Sequence, residues 1–252
     1  MSLLDDVESI PRRTMHLFFV ADVSGSMRGA KIGAVNDAIR NVLPIVSEIS
    51  DNNPDAEIKV AAMTFSDGCN WLYSKPVSAA DFEWADQDAL GGTDLGEACI
   101  NLERVLHKAD KGGWMSSGSG AFAPVFILLS DGGPTDDYEY GLGTLKRNSW
   151  FKAGIKVAIA IGEDADYSVL EQFAGERVIR VHDIETLKKV IRVVVVTSSQ
   201  VGSSSASASA NGKEVKKEEQ VTAAIKEQLK EDNVEIGAEI ADVANYSEDE
   251  FD

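Results

Sequence analysis

The chain has 252 residues, 44% of them hydrophobic, enough to build one large domain with a sizeable core or two small ones. Its 42 Asp and Glu against 24 Lys and Arg give a formal charge of −18 at pH 7, which repels phosphate backbones and anionic bilayers. Nucleic acid and membrane surfaces are therefore not expected partners, and no stretch is long enough to span a bilayer.

Residues 1–13 read as an N-terminal extension. Arg12-Arg13 precedes apolar residues, as in a twin-arginine or secretion signal, but acidic residues stand upstream, Asp22 interrupts the apolar run, and no small-residue cleavage site follows. The two cysteines, Cys69 and Cys99, fall in segments that read as buried strand and helix, so buried thiols in a reducing cytoplasm are expected.

The first structural signal is Leu17-Phe18-Phe19-Val20-Ala21, a short, aromatic and β-branched run that reads as a buried strand within 16–22, ending at Asp22. A helix over 32–49 follows, with Val35, Ile39, Val42, Val46 and Ile49 on a helical repeat and Asp51-Asn52-Asn53-Pro54 as its stop. Residues 57–65 read as a strand, with 69–74 as an antiparallel edge partner. After Gly91-Gly92-Thr93-Asp94, a tight turn, Leu95, Ala98, Leu102, Val105 and Leu106 form the apolar face of a second helix.

Residues 110–123 make a long connection containing Trp114-Met115, which serves either as a second contact surface or as an anchor tucked back on the body. The strand 125–130 ends at Asp131. A polar, aromatic helix is expected over 138–153, then a strand over 155–161, a short helix over 169–173, a strand over 177–182 and a helix from Ile184 to about Val196. This alternation, with central strands apolar throughout, predicts an α/β fold: a doubly wound, mostly parallel central sheet flanked by helices. Ligands then gather at the carboxyl ends of the strands, where Asp22 and Asp131 both stand.

From Thr197 the composition turns to Ser, Ala and Gly, so the body is expected over 14–199, with a flexible linker over 200–213 and an acidic tail over 214–252. Five Lys face thirteen Asp or Glu in residues 200–252, and the tail reads as disordered or partly helical. Val221, Ile225 and Leu229 at i, i+4, i+8 offer a helix that folds onto a partner, and a solubilising tail with incidental hydrophobes is the alternative.

Asp22-Val23-Ser24-Gly25-Ser26 places one carboxylate and two hydroxyls in a single turn, a ligand set for a hard cation. Mg2+ takes few direct protein oxygens and keeps water, and neutral hydroxyls leave it with net positive charge that a partner's carboxylate can complete. Taken singly, each element has a plain reading: Ser-Gly-Ser is common turn chemistry, and Thr93 or Asp94 can cap the helix that follows.

Together, Asp22, Ser24 and Ser26, then Thr93 in Gly-Gly-Thr-Asp, then Asp131 in Leu-Ser-Asp-Gly resemble the von Willebrand factor A (VWA) family and its metal-ion-dependent adhesion site (MIDAS). The resemblance covers about residues 14–199 and implies the same Rossmann-like architecture. It implies that Ser24, Ser26 and Thr93 touch the metal while Asp22 and Asp131 act largely through water, with Mg2+, or alternatively Mn2+, as the ion. Met27, Arg28, Asp94, Thr135 and Asp136, adjacent in sequence to these ligands, are the candidate partner-binding surface.

Within the family the chain resembles small bacterial intracellular members associated with tellurite and stress resistance, the TerY-like group, through Arg-Arg-Thr-Met-His-Leu-Phe-Phe-Val-Ala-Asp-Val-Ser-Gly-Ser-Met and Gly-Gly-Thr-Asp-Leu-Gly-Glu-Ala. That likeness implies a non-catalytic cytoplasmic adaptor that captures a partner's Asp or Glu, in a complex with a protein kinase and a PP2C-type phosphatase. The metal-binding, cysteine-rich C-terminus that some members carry is not found in this sequence. A regulatory subunit of an ATP-driven chelatase or AAA+ machine is the alternative, and a Mg-dependent phosphoryl-transfer enzyme a weaker one, since no glycine-rich phosphate loop follows the first strand. His16, His107 and His182 are read as structural or solvent-facing.

Overall fold

A computed structural model describes residues 12–116, 120–175, 177–181, 183–203 and 217–231. Its centre is strand β1 (Arg13–Asp22), which lies parallel to β2 (Ala56–Ser66) on one side and to β5 (Val125–Ser130) on the other. Short strands β3 (Gly68–Trp71) and β4 (Val77–Ser78) run antiparallel to β2, and β6 (Ile155–Ile161) and β7 (Val178–Val181) extend the far side in parallel. The order β3-β2-β1-β5-β6-β7 reverses direction between β1 and β5, so the carboxyl ends of those two strands open a crevice.

Side chains alternate between the faces of β1, and both sets are apolar. Met15, Leu17, Phe19 and Ala21 pack under helices α1 (Ala30–Asp51), α6 (Ile184–Ser203) and α7 (Lys217–Glu231). Phe18 and Val20 pack on the opposite face beneath α2 (Leu95–Val105), α3 (Tyr138–Leu145), α4 (Ser149–Ala153) and α5 (Tyr167–Ala174). A strand covered on both sides needs apolar residues at every position, which is why the run reads as continuous rather than alternating.

The helix expected over 138–153 is two helices. The Asn148 side chain accepts hydrogen bonds from Trp150 N at 2.9 Å and Phe151 N at 3.4 Å, starting α4 afresh. The connection after α2 folds back on the body: Met115 is fully buried, and Trp114 meets Trp71 edge-on at 4.5 Å and stacks on Phe18 at 6.4 Å. Trp114-Met115 is therefore an anchor and not a second contact surface.

At the C-terminal end α6 runs on through Thr197 to Ser203, because Val190, Val194 and Ser198 continue one buried stripe that the change in composition conceals. Val221, Ile225 and Leu229 of α7 are buried in the same core as α1 and α6, so this stripe packs on the chain's own body. Residue His182 and the segments 204–216 and 232–252, which hold most of the expected linker and tail, lie outside the described residues.

His16 enters the core near the start of β1. Its Nδ1 has no hydrogen-bond partner among the described residues, and burial, helped by the charge of Lys59, lowers its pKa to about 4. Because the native imidazole is harder to protonate than the unfolded one, stability is lost as pH falls from about 6.5 to about 4, by about 3 kcal/mol in total. Replacing His16 with Leu is expected to flatten the pH dependence of urea unfolding across this window; an unchanged slope contradicts the assignment.

Candidate metal site

Asp22 closes β1 with a side chain of 0% exposure. Its Oδ1 accepts from Ser24 N at 2.8 Å and its Oδ2 accepts from the Ser130 hydroxyl at 2.6 Å. Burial raises its pKa despite these bonds, and the nearby Asp131 charge adds to the rise. The native carboxyl thus titrates above its unfolded value of 3.8: the cost of ionising it is absent below that pH and grows as pH rises through the native pKa. A cation bound beside Asp22 would relieve the cost of ionising this buried carboxyl.

The first loop turns sharply after Asp22, in a short helical turn at Gly25–Met27 that brings two hydroxyls together. Ser24 Oγ and Ser26 Oγ are 3.0 Å apart, and Ser26 Oγ donates to Asp131 Oδ1 at 3.0 Å. In an octahedral shell with bonds of about 2.0–2.1 Å, adjacent oxygens lie about 2.9 Å apart. The donor set therefore fits a small hard cation in spacing as well as in chemistry. Among the described residues there is no group of three or more His, Cys, Asp or Glu that could hold a metal ion.

The second loop is bound tightly to the first. Gly25 N donates to Gly91 O at 2.9 Å, Leu90 N donates to Val23 O at 2.8 Å, and a Cβ on Gly25 would stand 3.2 Å from Gly91 O. Gly91, with φ of +84°, rests on the Asp67 carboxylate, whose Oδ1 accepts from Gly92 N at 2.6 Å. A Cβ at Gly91 would lie 2.6 Å from that carboxylate, so the loop requires glycine there. Thr93 is buried, and its backbone pairs reciprocally with Thr135: Thr93 N donates to Thr135 Oγ1 at 2.8 Å, and Thr135 N donates to Thr93 O at 2.9 Å.

Asp22, Ser24, Ser26 and Asp131 are thus linked by direct hydrogen bonds, and Thr93 sits on the loop that touches them. The expected partner surface divides. Met27 is fully buried in the core beneath α1 and presents nothing outward. Its place on a short turn and its apolar side chain are what send it inward.

Arg28 and Thr135 are exposed, with Arg28 Nε donating to Ala89 O at 3.1 Å. Asp136 and Asp94 work inside the fold: Asp136 accepts from Gly96 N at 3.0 Å and Glu97 N at 2.9 Å, capping α2 from a distant loop, and Asp94 accepts from Gly68 N at 2.7 Å. Neither Thr93 nor Asp94 caps α2 through its side chain, so the capping role falls to a residue the sequence does not place beside the helix.

Four residues outside the motif complete the site. Ser130 locks Asp22, Asp67 seats the glycine turn, and Lys31 donates from Nζ to Asp131 Oδ2 at 3.0 Å and to Asp164 Oδ1 at 2.8 Å. Burial pulls the Lys31 amine down, but its bonds to Asp164 and Asp131 outweigh that and leave its pKa raised. A polar Ser130 at the end of an otherwise apolar strand is a signal readable in the sequence; Lys31, distant along the chain from Asp131, carries none.

This sheet order, with its crevice at the ends of β1 and β5, is the fold of von Willebrand factor type A domains. The solved von Willebrand factor type A protein from Catenulispora acidiphila superposes with a TM-score of 0.57 at 19% identity, over 74% of this chain and 43% of that one. The proximal thread matrix protein 1 of the mussel byssus, solved with a zinc-occupied MIDAS motif, gives 0.54 at 16% identity, over 73% of this chain and 48% of that one.

Among curated sequences, human inter-alpha-trypsin inhibitor heavy chain H2 is 27% identical over 184 residues, which is 68% of this chain. The chain spans only 18% of that relative's length. No family model matches the chain.

Replacing Ser130 with Ala leaves Asp22 Oδ2 buried without its donor. The expected loss is about 2 kcal/mol in urea unfolding of the metal-free protein; a loss below about 0.5 kcal/mol contradicts the role given to this hydroxyl.

Proposed function

We propose that this chain is a non-catalytic, divalent-metal-dependent protein-interaction module. The observation that carries the reading is the oxygen cluster of Ser24, Ser26 and Asp131, spaced at 3.0 Å and backed by the buried Asp22. Ser24, Ser26 and Thr93 would hold the ion, with Asp22 and Asp131 behind them. Mg2+ is the proposed ion and Mn2+ a substitute, since hydroxyl and carboxylate oxygens suit both. Bound there, the ion supplies positive charge that a partner's Asp or Glu can complete.

The surface around the site suits a protein ligand. Exposed Arg28 and Thr135 flank the loops, and Leu90, 65% exposed, stands beside the glycine turn. An apolar side chain held open at the rim, with its backbone fixed to Val23, offers contact area next to a polar anchor.

The two cysteines and the described histidines are poorly placed for catalysis. Cys99 is buried with its thiol pKa pushed up by desolvation, Cys69 is raised to about 11 by the same cause, and His16 is buried away from the crevice. His107 pairs with Glu103 at 3.0 Å towards the end of α2 remote from Thr93. These features support binding over chemistry.

Among the described residues no helix is long and apolar enough to cross a membrane. The two free thiols support a cytoplasmic setting. The TerY-like resemblance of the first strand and of Gly91–Ala98 extends the proposal to a bacterial stress-response complex of the tellurite-resistance type, with a kinase and a PP2C-type phosphatase as partners. The proposed recognition body is residues 14–199 together with the end of α6 and the helix α7, whose Val221, Ile225 and Leu229 are buried against it.

Mg2+ or Mn2+ at a hundredfold excess over its Kd is expected to add about 2.7 kcal/mol of stability, read as a rise in Tm. Ser24→Ala with Ser26→Ala is expected to abolish that rise while leaving the metal-free protein folded. Partner capture from cell extract is expected to fall to background both in this double variant and with EDTA. Capture unaffected by either contradicts the metal-dependent reading.

A further inference from the structure

The Asp131 carboxylate is divided between two neighbours. Its Oδ1 accepts from Ser26 in the hydroxyl loop, while its Oδ2 accepts from the Lys31 ammonium, each at 3.0 Å. Lys31 also grips Asp164 at 2.8 Å, so one amine ties a 5% exposed carboxylate to a 72% exposed one. Space for this reach is provided by Gly162, just past β6, where φ is +96° and a Cβ would stand 2.7 Å from Lys31 Cε and 3.0 Å from Nζ. A side chain at that position would press on the end of Lys31 and on Asp164 Oδ1, 2.8 Å from the Cβ, so that one of them would have to shift.

We propose that Lys31 is a positioning residue of the metal site, a tethered counter-cation that balances Asp131 when no ion is bound and weakens the affinity for the ion when one is. The inference rests on the metal-dependent reading above. An ammonium bonded to one oxygen of a carboxylate lies within a few ångströms of whatever the other oxygen serves, so it offsets the charge that attracts a dication. It also leaves the combined site more positive than hydroxyls and two carboxylates alone would make it, which favours an anionic ligand over further protein carboxylates. Asp164, on the solvent side, draws part of the ammonium's charge outward and so limits its opposition to the ion.

Binding of Mn2+ to the full chain, followed by the loss of the free-ion electron paramagnetic resonance signal, tests this directly, with Mg2+ titration calorimetry alongside. Lys31→Met keeps the length of the side chain and removes the charge; it is expected to bind Mn2+ about tenfold tighter or more and to melt at a lower temperature when metal-free. Asp164→Asn is expected to act in the opposite direction, weakening Mn2+ binding by committing Lys31 to Asp131 alone. A merely structural Lys31 would have both variants bind more weakly.

Unchanged or weaker binding in Lys31→Met overturns the inference while leaving the metal site intact. Should that variant fail to fold, Lys31→Gln, which removes the charge but keeps a hydrogen-bond donor, decides the matter: tighter Mn2+ binding supports the inference, and unchanged or weaker binding overturns it. No Mn2+ binding by the wild-type chain overturns both this inference and the functional reading beneath it.

Discussion

The burial of Asp22 at the end of the central strand is the constraint on which the rest depends. A carboxylate taken out of water must be matched by donors, and β1 supplies them by turning at once, so that Ser24 N reaches back to Oδ1. The neighbouring strand β5 supplies the second donor through Ser130, which ties the register of the two central strands to the site. The parallel pairing that buries Leu17 to Ala21 is the same pairing that places Ser130 against Asp22. Fold and site share one set of contacts.

The two other loops are fixed by backbone chemistry rather than by the motif residues alone. Gly91 and Gly92 sit on the Asp67 carboxylate, Thr93 and Thr135 exchange hydrogen bonds, and Asp136 caps α2. Gly96 and Gly141 let α2 and α3 approach closely enough for those loops to meet, since a Cβ at Gly141 would collide with the Gly96 backbone. A hydroxyl-rich site needs this rigidity: neutral ligands bind an ion weakly one at a time, and preorganising them is what makes the set effective.

Much of this was legible in the sequence. The strands 125–130 and 155–161 fall where the apolar runs place them, because a strand buried on both faces announces itself by composition. Asp22, Ser24, Ser26 and Asp131 come together as their positions at strand ends predict, by the general rule for doubly wound sheets. What escaped the sequence was set by tertiary contact. Lys31 reaches Asp131 only because α1 starts beside the crevice; Met27 is buried because its turn points inward; the break at Asn148 is a local cap that starts a new helix; and α6 continues past Thr197 because packing overrides composition.

The most direct test of the central claim is a crystal of the full chain grown with Mn2+, with the ion located by its anomalous scattering. The account predicts one strong peak in the crevice, within about 2.5 Å of Ser24 Oγ and Ser26 Oγ. A peak elsewhere, or none at Mn2+ concentrations that saturate a binding isotherm, would contradict it.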